Sequence, residues 1–158
     1  MQNQDVLKMV DGLCNKLQEA ELEDYGEEKD LIADVSEVVK DFISAELGEF
    51  GAVWVRGKDK GKIISVWACE TDFWPDIAVE VRGIPTVAIT VRQANRDDGL
   101  AVVLAHAIGS SVVHSVQYSY AIPFVLDRTD SDPRQHWFDS EIEERLWADH
   151  RISLVVRQ

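Results

Sequence analysis

The sequence lacks the features that mark several classes of protein. It contains only two cysteines, Cys14 and Cys69, which are too few and too far apart for a disulfide scaffold or a metal knuckle, so we expect two buried thiols. No apolar run reaches the ~18 to 20 residues that a membrane-spanning helix needs. The first ten residues have neither the basic start nor the apolar block of a signal peptide. These absences predict a cytoplasmic protein that does not contact membranes.

Positive charge is also scarce. The chain has 16 basic and 29 acidic side chains, which give a formal net charge of -13. Residues 1–50 hold 14 acidic and 4 basic residues, and residues 51–158 hold 15 and 12, so the acidity lies mainly near the N-terminus. Nucleic-acid binders usually carry a basic footprint, because phosphate neutralisation supplies most of their affinity. Charge therefore does not support nucleic acid as a partner, although arginines in the strand-rich part leave it open.

The hydrophobic pattern predicts an order of helices and strands. Helical spacing of apolar residues predicts helices over 5–21 and 27–47. A hairpin is expected over 52–69, with Trp54 and Trp67 in its two arms, and strands at 77–81 and 86–91 follow it. The next helix, up to residue 116, is apolar nearly all round and should be largely buried against the sheet. A strand at 120–126, a short helix at 139–149 and a strand at 151–157 complete the order.

This order predicts an α/β (α+β) protein with a mixed β-sheet flanked by helices. We expect one domain over residues 1–158, because no linker or repeat divides the chain. Within it, residues 1–48 form an acidic pair of helices, residues 51–127 form the core of the sheet with one helix, and residues 128–158 add the last helix and strand.

The stretch from Trp74 to Gln93 carries the most distinctive polar residues. Asp76 stands immediately before the strand at 77–81, and Arg92 lies near the end of the strand at 86–91. Such a layout is typical of a nuclease site, but it is equally typical of an ordinary hairpin with an ion pair at the strand ends. The sequence favours the structural role.

This pattern resembles the PD-(D/E)xK superfamily, the restriction-endonuclease-like fold of resolvases, many restriction enzymes and tRNA-splicing endonucleases. The likeness covers about residues 31–127 and implies an α-β-β-β-α-β core, here with two N-terminal helices and an extra strand. Pro75-Asp76 matches the family's PD, and Thr90-Val91-Arg92 falls where its E-x-K strand would lie. Glu37 sits where some members place a further metal-coordinating acid. The resemblance implies a scaffold for Mg²⁺-dependent nucleic-acid cleavage.

The chain departs from that pattern at both remaining catalytic positions. Thr90 stands in place of the second carboxylate and binds Mg²⁺ only weakly. Arg92 stands in place of the lysine and stays charged, so it is no tunable proton-transfer group. A second register, Glu80-Val81-Arg82, keeps a carboxylate but needs Asp59 or Asp72 as its partner.

The metal-free tRNA-splicing enzymes use Tyr, His and Lys instead. This chain has His106, His114, Tyr118 and Tyr120, but no lysine follows Lys62. That triad can be completed in the C-terminal half only with arginine in place of lysine.

The sequence therefore favours a non-catalytic binding or interaction protein on a nuclease-like scaffold, with no cofactor. One alternative is a divergent metal-dependent nuclease, which would need Mg²⁺. Its catalytic candidates are Asp76, Arg92, Glu37 and Glu80, with Asp76 as the metal ligand. Another alternative is an acidic inhibitor or immunity-type protein that masks a basic partner.

Several residues are candidates for binding. Trp137, Phe138 and Trp147 lie on or beside the short helix at 139–149. They form either an apolar surface there, since large aromatics near exposed elements are typical interface anchors, or the bottom of the core. Arg82 and Gln93 are polar candidates near the resemblance motifs. Since a terminal edge strand can also pair with its copy in another subunit, we expect a homodimer, with a further protein partner possible.

Overall fold

The computed structural model describes residues 3–59, 61–130 and 140–158. In these residues the chain forms four α-helices: α1 (Asn3–Glu19), α2 (Glu28–Leu47), α3 (Leu100–His114) and α4 (Ser140–His150). It forms seven strands there: β1 (Gly51–Val55), β2 (Val66–Ala68), β3 (Thr71–Phe73), β4 (Ile77–Val81), β5 (Ile84–Ala94), β6 (Tyr120–Asp127) and β7 (Val155–Arg157). The predicted mixed sheet with flanking helices is confirmed.

Five strands form the main sheet in the order β1-β4-β5-β6-β7. β1 pairs antiparallel with β4, and β4 pairs antiparallel with β5. β5 pairs parallel with β6 after the α3 crossover, and β6 pairs parallel with β7. This arrangement brings the beginning of β4 beside the end of β5, so the predicted site residues lie at one end of the sheet.

The helices α1 and α2 pack on one face of the sheet. Their apolar stripes, which include Leu13 and Leu31, contact inward-facing strand residues such as Ile89 and Phe124, all fully buried. Gly12 permits the close approach of the two helices, since a Cβ there would lie 2.9 Å from the Phe42 ring. Helix α3 packs on β5 and β6, against the residues of opposite pleat direction such as Ala94 and Val125.

The predicted hairpin over 52–69 is wrong. β1 pairs with β4 instead, and β2 pairs with β3 in a separate two-stranded sheet. Trp54 and Trp67 therefore do not pair: Trp54 is half-buried beside Ile63, whereas Trp67 is 67% exposed. The physical reason is the burial of β4, which is paired with β5 on one edge and is covered on its other edge by the apolar strand β1.

Two burial predictions also need correction. Helix α3 buries only one side, where Ala107, Ser111 and His114 lie, and its outward side is exposed, with Val102 at 63%. Cys14 is half-buried, but Cys69 is exposed in the β2–β3 turn. Among the described helices, none combines the length and the apolar character that crossing a bilayer requires.

Candidate functional site

Asp76 is held rigidly at the end of the sheet where β4 begins. Its backbone N–H donates to the Ile89 carbonyl at 3.1 Å, and its own carbonyl accepts from the Arg56 N–H at 2.9 Å. Pro75 precedes it and restricts the backbone in front of the strand. The residue is only 5% exposed, so its carboxylate needs partners inside the protein.

The Asp76 carboxylate finds those partners on β5. Its Oδ2 accepts the Val91 backbone N–H at 2.8 Å and the Arg92 Nη1 at 2.9 Å. The ion pair is part-buried, since the Arg92 side chain is 29% exposed and the Asp76 side chain 7%. One oxygen that receives both a backbone and a guanidinium donor is a charge-assisted arrangement. The predicted strand-end ion pair between Asp76 and Arg92 is therefore present.

A second carboxylate lies near the same nitrogen of the Arg92 guanidinium. Glu28, in the first turn of α2, places Oε1 3.7 Å from the Arg92 Nη1, and its Oε2 accepts the Gln93 N–H at 3.1 Å. The Arg92 Nη1 also donates to the Val91 carbonyl at 2.7 Å. The sequence pattern did not predict Glu28 as a site residue. An acid at the start of a helix is common, because the helix dipole favours negative charge there.

Thr90 and His114 form the buried inner part of the site. Thr90 is 1% exposed and His114 2% exposed, and Thr90 Oγ1 lies 3.4 Å from His114 Nδ1. Burial, with smaller contributions from the charges of Arg92 and Arg56, lowers the pKa of His114 to about 4, although a hydrogen bond to the Trp74 backbone opposes the shift. The imidazole is therefore neutral at neutral pH and is a weak base.

The donor set does not fit a Mg²⁺ ion. The two carboxylates that meet here, Asp76 and Glu28, already lie within 4 Å of the Arg92 Nη1, whose positive charge would repel a metal ion placed beside them. Thr90 turns toward His114 rather than adding a charged ligand. In the described ranges, no three His, Cys, Asp or Glu side chains group as a metal site.

The other predicted acids lie elsewhere. Glu37 is exposed on α2 and pairs with Lys40 at 3.3 Å, whereas the helix contributes Glu28 to the site. Glu80 lies toward the far end of β4, opposite Ala52 and Pro85. Its proposed partners are occupied locally: Asp59 accepts the Val55 N–H, and Asp72 accepts the Ser65 hydroxyl.

The tyrosines and histidines of the metal-free, splicing-type triad have separate surroundings. The Tyr118 hydroxyl donates to the Ile64 carbonyl at 2.9 Å, and burial raises the pKa of Tyr118 to about 12. His106 is exposed on the outer side of α3, whereas His114 is buried beneath it. Tyr120 stacks on Trp147.

The binding candidates have different surroundings. Gln93 is tied inward, because its Nε2 donates to the Tyr25 carbonyl at 2.9 Å and to Asn95 Oδ1 at 2.6 Å. Trp147 is half-buried against Tyr120, with ring centroids 5.9 Å apart. Arg82 is exposed in the β4–β5 turn. Residues 137 and 138 lie outside the described residues.

Comparison of the chain with protein-family models, with curated proteins and with solved structures finds no match in any of the three.

Proposed function

We propose that this chain is a non-catalytic binding protein on a nuclease-like scaffold. The observation that carries the proposal is the pairing of Asp76 with Arg92 and with the Val91 N–H. Asp76, the buried carboxylate at the position of the family's first acid, is thereby neutralised by a side chain of the same sheet. A permanently charged guanidinium takes the place where a nuclease needs a metal ion and a proton-transfer group.

The strand order supports the nuclease-like scaffold. When β2 and β3, which form the separate small sheet, are left aside, the order is α2, β1, β4, β5, α3 and β6, that is α-β-β-β-α-β. The three strands before α3 are antiparallel neighbours, and the strand after it is parallel to β5. Asp76 precedes the second strand of this series, and Arg92 lies on the third, at the same end of the sheet. Thr90 and Arg92, which differ from the family's carboxylate and lysine, then belong to a scaffold that lacks catalysis and in which Arg92 forms an internal ion pair with Asp76.

Metal binding and cleavage test the non-catalytic part of the proposal. We expect calorimetric titration with Mg²⁺ or Mn²⁺ to give no heat of specific binding, and we expect mixed DNA and RNA substrates to stay intact. The matched variant is Asp76→Asn, which keeps the side-chain shape and removes the charge. Metal binding and cleavage that both disappear in Asp76→Asn would revive the nuclease.

The binding part of the proposal is a homodimer formed through α3. The outward side of this helix carries no charged residue from Leu100 to His114, and its exposed positions include Ala101, Val102, Ala105 and Gly109. A solvent-facing helix side is normally polar, so an apolar one indicates a contact surface. The small side chains along its centre permit two helices to approach closely.

The distribution of charge favours a second copy of this chain as the occupant. All fourteen acids of residues 3–50 are exposed, and α1 and α2 pack on the face of the sheet opposite α3. Two copies that meet through α3 keep these acids on the far sides of the dimer, which reduces their repulsion. The edge strand β7 is a weaker candidate, because it spans three residues and α1 contacts it through Gln18 and Val156.

Light scattering tests the dimer. We expect the wild type to have twice the 17.8 kDa mass of the chain at micromolar concentration and Ala105→Glu to have the single-chain mass. Asn15→Glu, at an exposed position of α1, is the matched control and should stay dimeric. A 17.8 kDa wild-type particle across a wide concentration range would refute the dimer.

One observation favours a second candidate function, the acidic inhibitor of a basic partner. The exposure of all fourteen N-terminal acids gives one face a high density of negative charge. The variant Asp30→Asn/Asp41→Asn/Glu46→Gln neutralises three of them without breaking a described ion pair. A partner that binds this variant as tightly as it binds the wild type would argue against the inhibitor.

A further inference from the structure

A cavity lies at the end of β4 opposite to Asp76. It has a volume of about 620 Å³ and opens where the β4–β5 turn, the start of β6 and the first turn of α1 meet. This volume falls in the range of small-molecule sites, roughly 300 to 1,000 Å³. Its described lining includes Arg82, Arg151 and Tyr120 and contains no aspartate or glutamate, although the chain has almost twice as many acids as bases.

The two arginines of this cavity keep their guanidinium groups free of carboxylates. Arg92, Arg96 and Arg128 each pair with an acid within 4 Å. Within the part of the chain that the structure describes, Arg82 and Arg151 make no ion pair and no side-chain hydrogen bond. Two unpaired cations in one cavity of an acidic protein leave as many as ten N–H donors for a ligand.

Aromatic rings hold both guanidinium groups in position. The Arg82 Cζ lies 4.9 Å from the centroid of the Phe50 ring, and the Arg151 Cζ lies 5.4 Å from that of Trp147. Trp147 in turn stacks on Tyr120, with 23° between the ring planes. Guanidinium groups that rest on ring faces keep their in-plane donors available, so less side-chain entropy is lost when an anion binds.

Both arginines also occupy backbone positions that suit other residues better. Arg82 has φ 53° and Arg151 has φ 54°, in the left-handed region where glycine and asparagine are the low-cost residues. A non-glycine residue in this conformation is strained. The two arginines are therefore placed at strained backbone positions, in two separate turns that line the same cavity.

We propose that this cavity binds a small phosphorylated organic molecule, with its phosphate between Arg82 and Arg151. Two guanidinium groups match the two negative charges of a phosphate monoester and its oxygen geometry. The cavity is far larger than one phosphate, and its apolar wall, which includes Leu7 and Ile84, accommodates an organic body. A long polyanion fits less well, because the neighbouring helix α1 and its partner α2 carry the acids of the N-terminal segment.

The proposal does not depend on the role of Asp76, because the cavity lies at the other end of β4. The variant Asp76→Asn should bind the same ligand with unchanged affinity. Asp76→Asn therefore tests the non-catalytic proposal, and Arg82→Asn and Arg151→Asn test the cavity, so the failure of one proposal is distinguished from the failure of the other.

Tryptophan fluorescence and calorimetry test the site with adenosine 5′-monophosphate, adenosine and inorganic phosphate as probes. We expect the monophosphate to bind, adenosine to bind at least about tenfold more weakly, and inorganic phosphate to compete, since charge-assisted hydrogen bonds to the two guanidinium groups need the phosphate. Arg82→Asn and Arg151→Asn should each weaken binding of the monophosphate about tenfold or more. Asparagine suits the left-handed conformation, so these variants should remain folded.

The matched control is Arg145→Asn, which removes an exposed arginine of α4 that pairs with Glu141 outside the cavity. It should bind the monophosphate as the wild type does. Three results would overturn the proposal: no binding of the monophosphate at millimolar concentration, equal binding of adenosine, or undiminished binding by folded Arg82→Asn and Arg151→Asn. A single-stranded oligonucleotide that binds more tightly than the monophosphate would also overturn it, in favour of nucleic acid.

Discussion

The buried histidine of the candidate site makes stability depend on pH in a predictable direction. His114 has its pKa lowered from 6.5 to about 4, mainly by burial and then by the nearby charge of Arg92. As the pH falls below 6.5, the unfolded chain takes up a proton that the folded chain refuses until about pH 4. The free energy of unfolding therefore decreases as the pH is lowered from 6.5 to about 4, and it changes no further from this cause below pH 4.

The size of this effect follows from the two pKa values. A difference of about 2.5 units between unfolded and folded states, at ~1.36 kcal/mol per unit, corresponds to about 3 kcal/mol. That is a large fraction of the ~5–15 kcal/mol by which domains are usually stable. Carboxylates also titrate in this range, so the contribution of His114 has to be isolated by comparison.

Urea unfolding at a series of pH values provides that comparison. We expect the wild type to lose about 3 kcal/mol more than His114→Asn between pH 6.5 and pH 4, because the variant has no imidazole to protonate. His150→Asn is the matched control, since His150 is exposed on α4 and lies outside the proposed α3 interface, and it should lose as much stability as the wild type. Parallel profiles of the wild type and His114→Asn in this window would refute the reasoning, as would an NMR titration of His114 near pH 6.5.

Two further substitutions test the packing and the ion pair by urea unfolding. Arg92→Met should cost about 2–4 kcal/mol, because it leaves a buried carboxylate without its cation, whereas Lys40→Met, at an exposed pair, should cost less than about 1 kcal/mol. Equal costs would contradict the buried pair. Gly51→Ala should destabilise by about 1–3 kcal/mol, since its Cβ would lie 2.5 Å from Ile43 Cγ2.

The local pattern of the sequence was sufficient for most elements of the fold. Alternation of β-branched residues located β4 at residues 77–81, and the helical stripes located α1 and α2 to within two residues of their observed starts. β5 extends beyond its predicted bounds, from Ile84 to Ala94. Pro85 is accommodated in it because the register with β4 shifts between Val79 and Glu80, which places Pro85 at an irregular point of the ladder.

Long-range pairing was not predictable from the same pattern. β1 pairs with β4, which begins more than twenty residues after β1 ends. The pattern of the intervening residues does not indicate that β2 and β3 form a separate small sheet. Glu28 likewise reaches Gln93 across 65 positions. Periodicity reports which face of an element is apolar, but it does not report which neighbour covers that face, as the exposed side of α3 also demonstrates.

The arginines distinguish the two ends of β4 and, with them, two kinds of polar site. At the end where β4 begins, Arg92 is enclosed by Asp76 and Glu28, so its charge is already balanced and an incoming anion would meet two carboxylates. At the other end, Arg82 and Arg151 line a cavity whose described lining contains no acid, and their guanidinium groups rest on aromatic rings. Charge that the fold balances internally stabilises structure, whereas charge that it leaves unbalanced is available to a ligand. The charge at the Asp76 end of the sheet is therefore balanced within the fold, and the end at Arg82 and Arg151 is where binding should be sought.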